Sequence, residues 1–142
     1  MQHERGGQAV LSIMARRLVR WLPVLLWMGL IFYLSAQPDL PHHPDDEVDL
    51  VIKKAGHMAE YGILAGLFWW AWPKSGERRS RSILLYALAL SGLYAISDEV
   101  HQFFVPGRDA QLLDIGFDVL GALLTLLLIP NLSKPVERID LW

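Results

Sequence analysis

Apolar residues are gathered into four long blocks that polar segments separate. A helix that crosses the hydrocarbon core of a membrane needs about 20 residues, and about 17 suffice. The first block meets this length with one charge, whereas the second and fourth meet it only if ionisable residues near their starts are included. The pattern predicts transmembrane helices over residues 18–36, 53–72, 83–104 and 112–129.

Two alternatives to this reading are weaker. A soluble four-helix bundle would show apolar stripes on its helices, but these blocks are apolar all round. The stretch RRLVR before the first block resembles the start of a signal peptide, but no small-x-small cleavage site follows near Leu34, Ser35 and Ala36. We therefore expect an all-α integral membrane bundle of four transmembrane helices that forms a single domain over residues 1–142.

Composition excludes several classes of function. The chain has no cysteine, which excludes disulfides, thiolate metal ligands and a cysteine nucleophile. A net charge of −2 and the lack of any nucleic-acid-binding motif argue against a nucleic-acid partner. Six tryptophans suit a protein that needs anchors at a membrane interface.

The basic residues indicate an orientation. Ten of the thirteen Lys and Arg residues lie before or at the start of the first block, between the second and third, or after the fourth. Cytoplasmic segments of membrane proteins carry this excess, so both termini are predicted to be cytoplasmic. The first and third connections, and the polar residues beside them, are then predicted to face outward.

Polar residues gather at the outward ends of the second, third and fourth predicted helices. Residues three or four apart share one face of a helix, so each of these helices carries a polar stripe. A charge at a helix centre costs roughly 2.5–3.5 kcal/mol on insertion scales, so the stripes are expected to pair with one another or to line a wet, outward-facing pocket. The members are Lys54, His57, Glu60, Tyr61, Asp98, Glu99, His101, Gln102, Arg108, Asp114 and Asp118.

These residues divide into candidate roles. His and carboxylate groups can transfer protons, which makes His57, Glu60, Asp98, Glu99 and His101 candidate catalytic residues. His57, Glu99 and His101 are also candidate ligands for a divalent metal ion such as zinc or manganese. The candidate substrate-binding residues are Lys54, Tyr61, Gln102, Arg108, Asp114 and Asp118. A purely structural hydrogen-bonded cluster is the alternative for the whole set.

Features around the third connection add detail. Pro106 and Gly107 predict a tight turn in which the glycine takes a positive φ. Arg108 could lie at the membrane interface, pair with Asp98, Glu99 or Asp114, or clamp a ligand. Gly116 and Gly121 are expected at close contacts between helices.

Two motifs carry a family resemblance. The stretches KAGHMAEYGIL (54–64) and SDEVHQFFVPGRDAQLLDIGFDVLGA (97–122) resemble the VanZ-like family of small bacterial membrane proteins. Asp118 stands where that family commonly has Asn, and Gln111 where a small hydroxyl residue is common. The family is named for a protein associated with low-level resistance to teicoplanin, a lipid-tailed glycopeptide. The resemblance implies a bacterial cytoplasmic membrane and an extracytoplasmic active face, but no reaction.

Three functions fit these expectations. The first is an enzyme, a hydrolase or transferase, that acts on a lipid-linked cell-envelope precursor, with Lys54 and Arg108 holding an anionic headgroup. The second is a non-catalytic protein that binds a membrane lipid or a lipoglycopeptide antibiotic. The third is a small transporter or a subunit of an envelope complex.

Overall fold

The computed structural model describes residues 2–37, 44–72, 81–108 and 111–132. All of the regular structure in this part of the chain is helical. The four helices are α1 (Gln2–Ser35), α2 (Asp46–Ala71), α3 (Arg81–Phe103) and α4 (Leu112–Leu132). The four predicted helices are thus present, with bounds that differ mainly at the starts of α1 and α2.

Local chemistry explains where α2 starts and ends. The side chain of Asp45 caps α2 by accepting hydrogen bonds from the backbone N–H groups of Glu47 and Val48, at 3.0 and 3.2 Å. Hydropathy could not show that α2 starts at Asp46, because the first turns of the helix are acidic. The helix stops at Ala71 because Trp72 precedes a proline and takes the extended conformation that such a position favours.

Three of the described helices are long and apolar enough to cross a membrane, over Leu18–Ser35, Arg81–Phe103 and Leu112–Ile129. Helix α2 has 26 residues, or about 39 Å at 1.5 Å per residue, but its first half is strongly charged. Its crossing and the orientation of the termini therefore stay predictions. The basic residues of segments 73–80 and 133–142, which contribute to the charge bias, lie outside the described residues.

Helices α2 and α4 make the most extensive contact in the bundle and run parallel. Their pairing advances in step along both helices, from Lys54 with Asp114 to His57 with Asp118 and Gly62 with Thr125. Because α3 connects two helices that run in the same direction, it runs antiparallel to both. The polar starts of α2 and α4 and the polar end of α3 therefore lie at one end of the bundle.

Glycine allows the close approach of α2 and α4. A Cβ atom on Gly121 would collide with the backbone of Met58, and one on Gly62 would lie 2.6 Å from the Thr125 hydroxyl oxygen. The predicted packing role of Gly121 is confirmed. The same prediction for Gly116 is wrong, because a Cβ there would meet nothing within 4 Å. Five residues separate the two glycines, which places them on different faces of α4.

Two tethers hold α1 against its neighbours. The Trp27 indole N–H donates to the backbone carbonyl of Glu60 at 2.9 Å, and the Tyr94 hydroxyl donates to the carbonyl of Met28 at 2.6 Å. These bonds join α1 to α2 and to α3. Helix α1 therefore packs against α2 and α3 as part of the bundle.

Candidate functional site

Three acidic side chains are buried at the polar end of the bundle. Asp98 and Glu99 on α3 are 3% and 6% exposed, and Asp118 on α4 is 2% exposed. His57 on α2 lies within electrostatic range of Asp118, Glu60 and Asp98. The structure thus brings polar groups of all three helices to one place.

His57 and Asp118 form the contact nearest to an acid–base pair. His57 Nδ1 lies 3.4 Å from Asp118 Oδ1, which is short enough for an ion pair if the imidazole is protonated. The geometry does not make a hydrogen bond, so both atoms are buried without such a partner among the described residues. A buried carboxylate beside an imidazole can orient the ring and stabilise its charged form.

Lys54 is engaged one helical turn away. Its ammonium group pairs with the carboxylate of Asp114 and lies 5.4 Å from the centroid of the Phe117 ring. Both charged side chains are partly buried. This pair fixes the start of α4 against α2, so Lys54 has a structural partner where a free headgroup-binding cation was predicted.

Asp98 is held from two sides. One carboxylate oxygen, Oδ2, accepts a hydrogen bond from the Ser35 hydroxyl at 2.8 Å and another from the Gln102 amide at 3.0 Å. The other oxygen, Oδ1, has no hydrogen-bond partner among the described residues. The fully buried Tyr61 hydroxyl is also unpartnered there and lies within electrostatic range of Asp98 and Asp118.

Glu99 and Arg108 bind backbone groups. The Glu99 carboxylate accepts from the backbone N–H of Gln111, just before α4, where helix N–H groups otherwise lack partners. Arg108 donates through Nε to the carbonyl of Gln37 at 3.0 Å and through Nη2 to that of Leu34 at 2.9 Å. Arg108 therefore caps the end of α1, a role that was not among the alternatives expected for it.

The third connection has the predicted turn. Gly107 has a φ of 83°, and the N–H of Arg108 donates to the carbonyl of Val105 at 3.2 Å. Proline at the second position and a positive φ at the third are typical of a type II turn. The turn prediction is confirmed, and it carries Arg108 back to α1.

His101 packs against α1. Its ring stacks on Phe32 with a centroid separation of 4.1 Å and an interplanar angle of 24°. Phe32 is half-exposed on the outside of the bundle. Although His101 and Asp98 are three residues apart, their side chains thus meet different neighbours.

A cavity of about 320 Å³ lies between α1 and the start of α2. Its wall contains His57 and Glu60, together with Lys53 where the sequence suggested Lys54. Ser35 lies in the wall and also holds the buried Asp98. The remaining lining residues are Leu34, Ile52, Gly56 and Arg108.

The predicted metal ligands gain no support from this geometry. Across residues 2–37, 44–72, 81–108 and 111–132, no group of three or more His, Asp or Glu side chains is arranged to hold a metal ion. His57 faces Asp118, Glu99 binds the start of α4 and His101 stacks on α1. These contacts do not suit a shared ion.

Sequence patterns missed Ser35, Lys53 and Gly56 as parts of the cavity wall. A single Ser at the end of an apolar helix has no periodic partner, so it reads as the helix boundary. The sequence did offer one sign that Ser35 belongs to the site. Its predicted depth in the membrane matches that of the other polar residues. Lys53 and Gly56 flank predicted site residues on α2, but only packing determines which of them face α1.

A family model described as VanZ/LLP1 matches residues 20–133. The chain belongs to the VanZ/LLP1 family. The match covers the apolar part of α1, the three other helices and every candidate site residue. Searches among curated proteins and among solved structures found no match. VanZ/LLP1 membership and the three apolar helices together identify a helical membrane protein.

Proposed function

We propose that this VanZ/LLP1 protein binds the headgroup of an amphiphilic cell-envelope lipid, or of a lipid-tailed molecule such as a lipoglycopeptide, in the cavity between α1 and α2. The observation that supports this most is the mixed wall of that cavity. Leu34 and Ile52 supply apolar surface, whereas Ser35, His57 and Glu60 supply polar groups. An amphiphile needs both kinds of surface next to each other.

The size and position of the cavity fit a headgroup. Its volume of about 320 Å³ is at the lower end of the range for small-molecule sites, roughly 300–1,000 Å³. It lies at the end of the bundle where the polar ends of α2, α3 and α4 meet. By the charge bias this end faces out of a bacterial cytoplasmic membrane, where envelope precursors and teicoplanin-type antibiotics are found.

Filling the cavity from Gly56 tests the proposal. A Cβ atom added at Gly56 would meet nothing within 4 Å, and Gly56 lies in the cavity wall, so Gly56→Leu is expected to fill cavity space without disturbing a helix contact. The matched control is Gly116→Leu, which also meets open space but on α4 and outside the cavity. Both changes replace a helical glycine by a better helix former.

Native mass spectrometry of the gently purified protein provides the measurement. The wild type and Gly116→Leu should retain an amphiphile, and Gly56→Leu should lose it while keeping its thermal stability. Equal retention by all three proteins, or retention by none, would remove the cavity as the binding site. Retained molecules that cover the outside of the bundle should not respond to Gly56.

A second candidate is an enzyme, a hydrolase or a transferase, in which His57 moves the proton. The contact between His57 and the buried Asp118 supports it, because a general base is commonly oriented by a carboxylate. His57 lies in the wall of the cavity, where its ring can reach a bound group. Glu60 in the same wall is the candidate partner acid.

The identity of the retained lipid separates the two candidates. If His57 is catalytic, His57→Gln should accumulate unreacted substrate, so the variant and the wild type should retain molecules of different mass. If the protein only binds, both should retain the same molecule, and the enzyme hypothesis would be abandoned. Asp118→Asn should reproduce the His57→Gln pattern in weaker form if it orients the ring.

A further inference from the structure

The polar end of the bundle carries more negative than positive charge. Lys54 is paired with Asp114, and Lys53 lies 2.6 Å from Asp49. These pairs leave four carboxylates around the cavity and behind it: Glu60, Asp98, Glu99 and Asp118. Arg108 is the remaining Lys or Arg side chain near them within the described residues, and its guanidinium caps α1. His57 adds a positive charge beside Asp118 when its imidazole is protonated.

Unsatisfied oxygen atoms accompany this excess charge. Asp98 Oδ1, Asp118 Oδ1 and the Tyr61 hydroxyl are buried without a hydrogen-bond partner in the described part of the chain. Each of these side chains is more than nine-tenths buried. Among the described residues, Asp98 is compensated only by neutral donors, and Asp118 only by the imidazole of His57. Because a buried carboxylate with so little compensation is costly, a group that brings positive charge to this place is stabilised by it.

The cavity gives such a group access to the acids. Glu60 lies in the wall and is within electrostatic range of Asp98 and Asp118. Ser35 and His57, also in the wall, contact those same two carboxylates from the cavity side. A cation next to Glu60 therefore experiences the field of the buried acids.

We propose that the headgroup bound in this cavity carries a primary ammonium group, with Glu60 as its direct partner. This inference rests on the proposed function and specifies the ligand class. It replaces the anionic headgroup expected from the sequence, because Lys54 and Arg108 are committed to other groups.

Lipids that differ in one charge test the proposal. The full chain is placed in phosphatidylglycerol nanodiscs that contain a minor share of either phosphatidylethanolamine or its N-acetyl derivative, which lacks the ammonium charge. Retained lipids are counted by native mass spectrometry. Because a charge-assisted hydrogen bond is at stake, the amine lipid should be preferred by about tenfold.

Two variants and a competitor identify the site. Glu60→Gln should remove the preference, whereas Glu47→Gln, an exposed acid in the first turn of α2, should leave it unchanged. Soluble phosphoethanolamine should displace the amine lipid from the wild type. If phosphoethanolamine binds as tightly as the amine lipid, the natural ligand is a soluble amine. The proposed ligand class, a primary ammonium, is then unchanged.

The opposite results have separate meanings. If phosphatidylethanolamine, its N-acetyl derivative and phosphatidylglycerol are retained equally, and Gly56→Leu loses all of them, the ammonium proposal is overturned. The amphiphile site itself stays in place. Equal retention is also the result expected if protons alone neutralise the acids. No retained lipid of any kind would remove the proposed function itself. A preference that Glu60→Gln does not reduce would overturn the assignment of Glu60.

Discussion

At the scale of single residues, Asp118 stands out because it is charged and nearly inaccessible. It is 2% exposed, and its nearest charged neighbour is the imidazole of His57, 3.4 Å away. An Asn at this position would have the same shape without the charge. The carboxylate is therefore a feature of this chain that packing does not require.

We predict that Asp118→Asn raises the free energy of unfolding by about 1–2 kcal/mol, because it removes a poorly compensated buried charge. Thermal unfolding of the detergent-solubilised protein measures this. Asp114→Asn is the control, since it leaves Lys54 without its partner and should lower stability by about 1 kcal/mol. A less stable Asp118→Asn protein would mean that a protonated His57 compensates the charge in the folded state.

Residues with one strong contact were the hardest to assign from the sequence. Helical spacing grouped Asp98, His101 and Gln102 on one face of α3. Asp98 and Gln102 do hydrogen bond to each other, but His101 stacks on Phe32. Spacing limits which residues can be neighbours, whereas the side-chain partner depends on where α1 packs.

At the scale of helices, the contact between α2 and α4 depends on Gly121. A Cβ atom there would overlap the backbone of Met58, and backbone cannot move aside as a flexible side chain can. We predict that Gly121→Ala destabilises the protein by about 3 kcal/mol, the upper part of the usual range for overpacked cores. Thermal unfolding in detergent and the yield of folded protein are suitable measurements.

Gly116→Ala is the matched control on the same helix. Its new methyl group meets no atom within 4 Å, so it should be neutral or stabilising by about 0.5–1 kcal/mol through helix propensity. Equal effects of the two substitutions would contradict the close contact. The sequence predicted close contacts at both glycines. It could not distinguish them, because a glycine in an apolar helix does not reveal which face of the helix meets a neighbour.

Helix existence was predictable because length and hydropathy are properties of the chain alone. The starts of α1 and α2 were not, since both helices extend into charged segments where hydropathy carries no information. The acid cap at Asp45 was readable in principle, because an Asp before a helical run favours the N-cap position. The interfaces between helices depend on how each helix is rotated about its own axis. The succession of apolar and polar segments along the chain does not determine that rotation.

At the scale of the whole molecule, the cluster follows from topology. Two helices that start at one end and a third that finishes there bring their polar ends together, provided that all of them are embedded to a similar depth. The sequence supported that convergence, but it did not place the cavity between α1 and α2. The cavity depends on Arg108, Trp27 and Tyr94, which fix α1 through backbone carbonyls that no side-chain pattern encodes.

The orientation of the bundle decides which molecules can reach the cavity. The acidic, proline-rich first connection and the basic second one predict that the turn at Arg108 faces out and that Arg79 faces the cytoplasm. An alkaline phosphatase fusion should then be active at Arg108 and inactive at Arg79, because the enzyme folds only outside the cytoplasm. The reverse pattern would give the cavity access to cytoplasmic amines and phosphates alone. It would also exclude any direct contact with extracytoplasmic precursors or antibiotics. The ammonium site, which rests on Glu60 and the buried acids, would keep its chemistry, but its ligand would come from the cytoplasm.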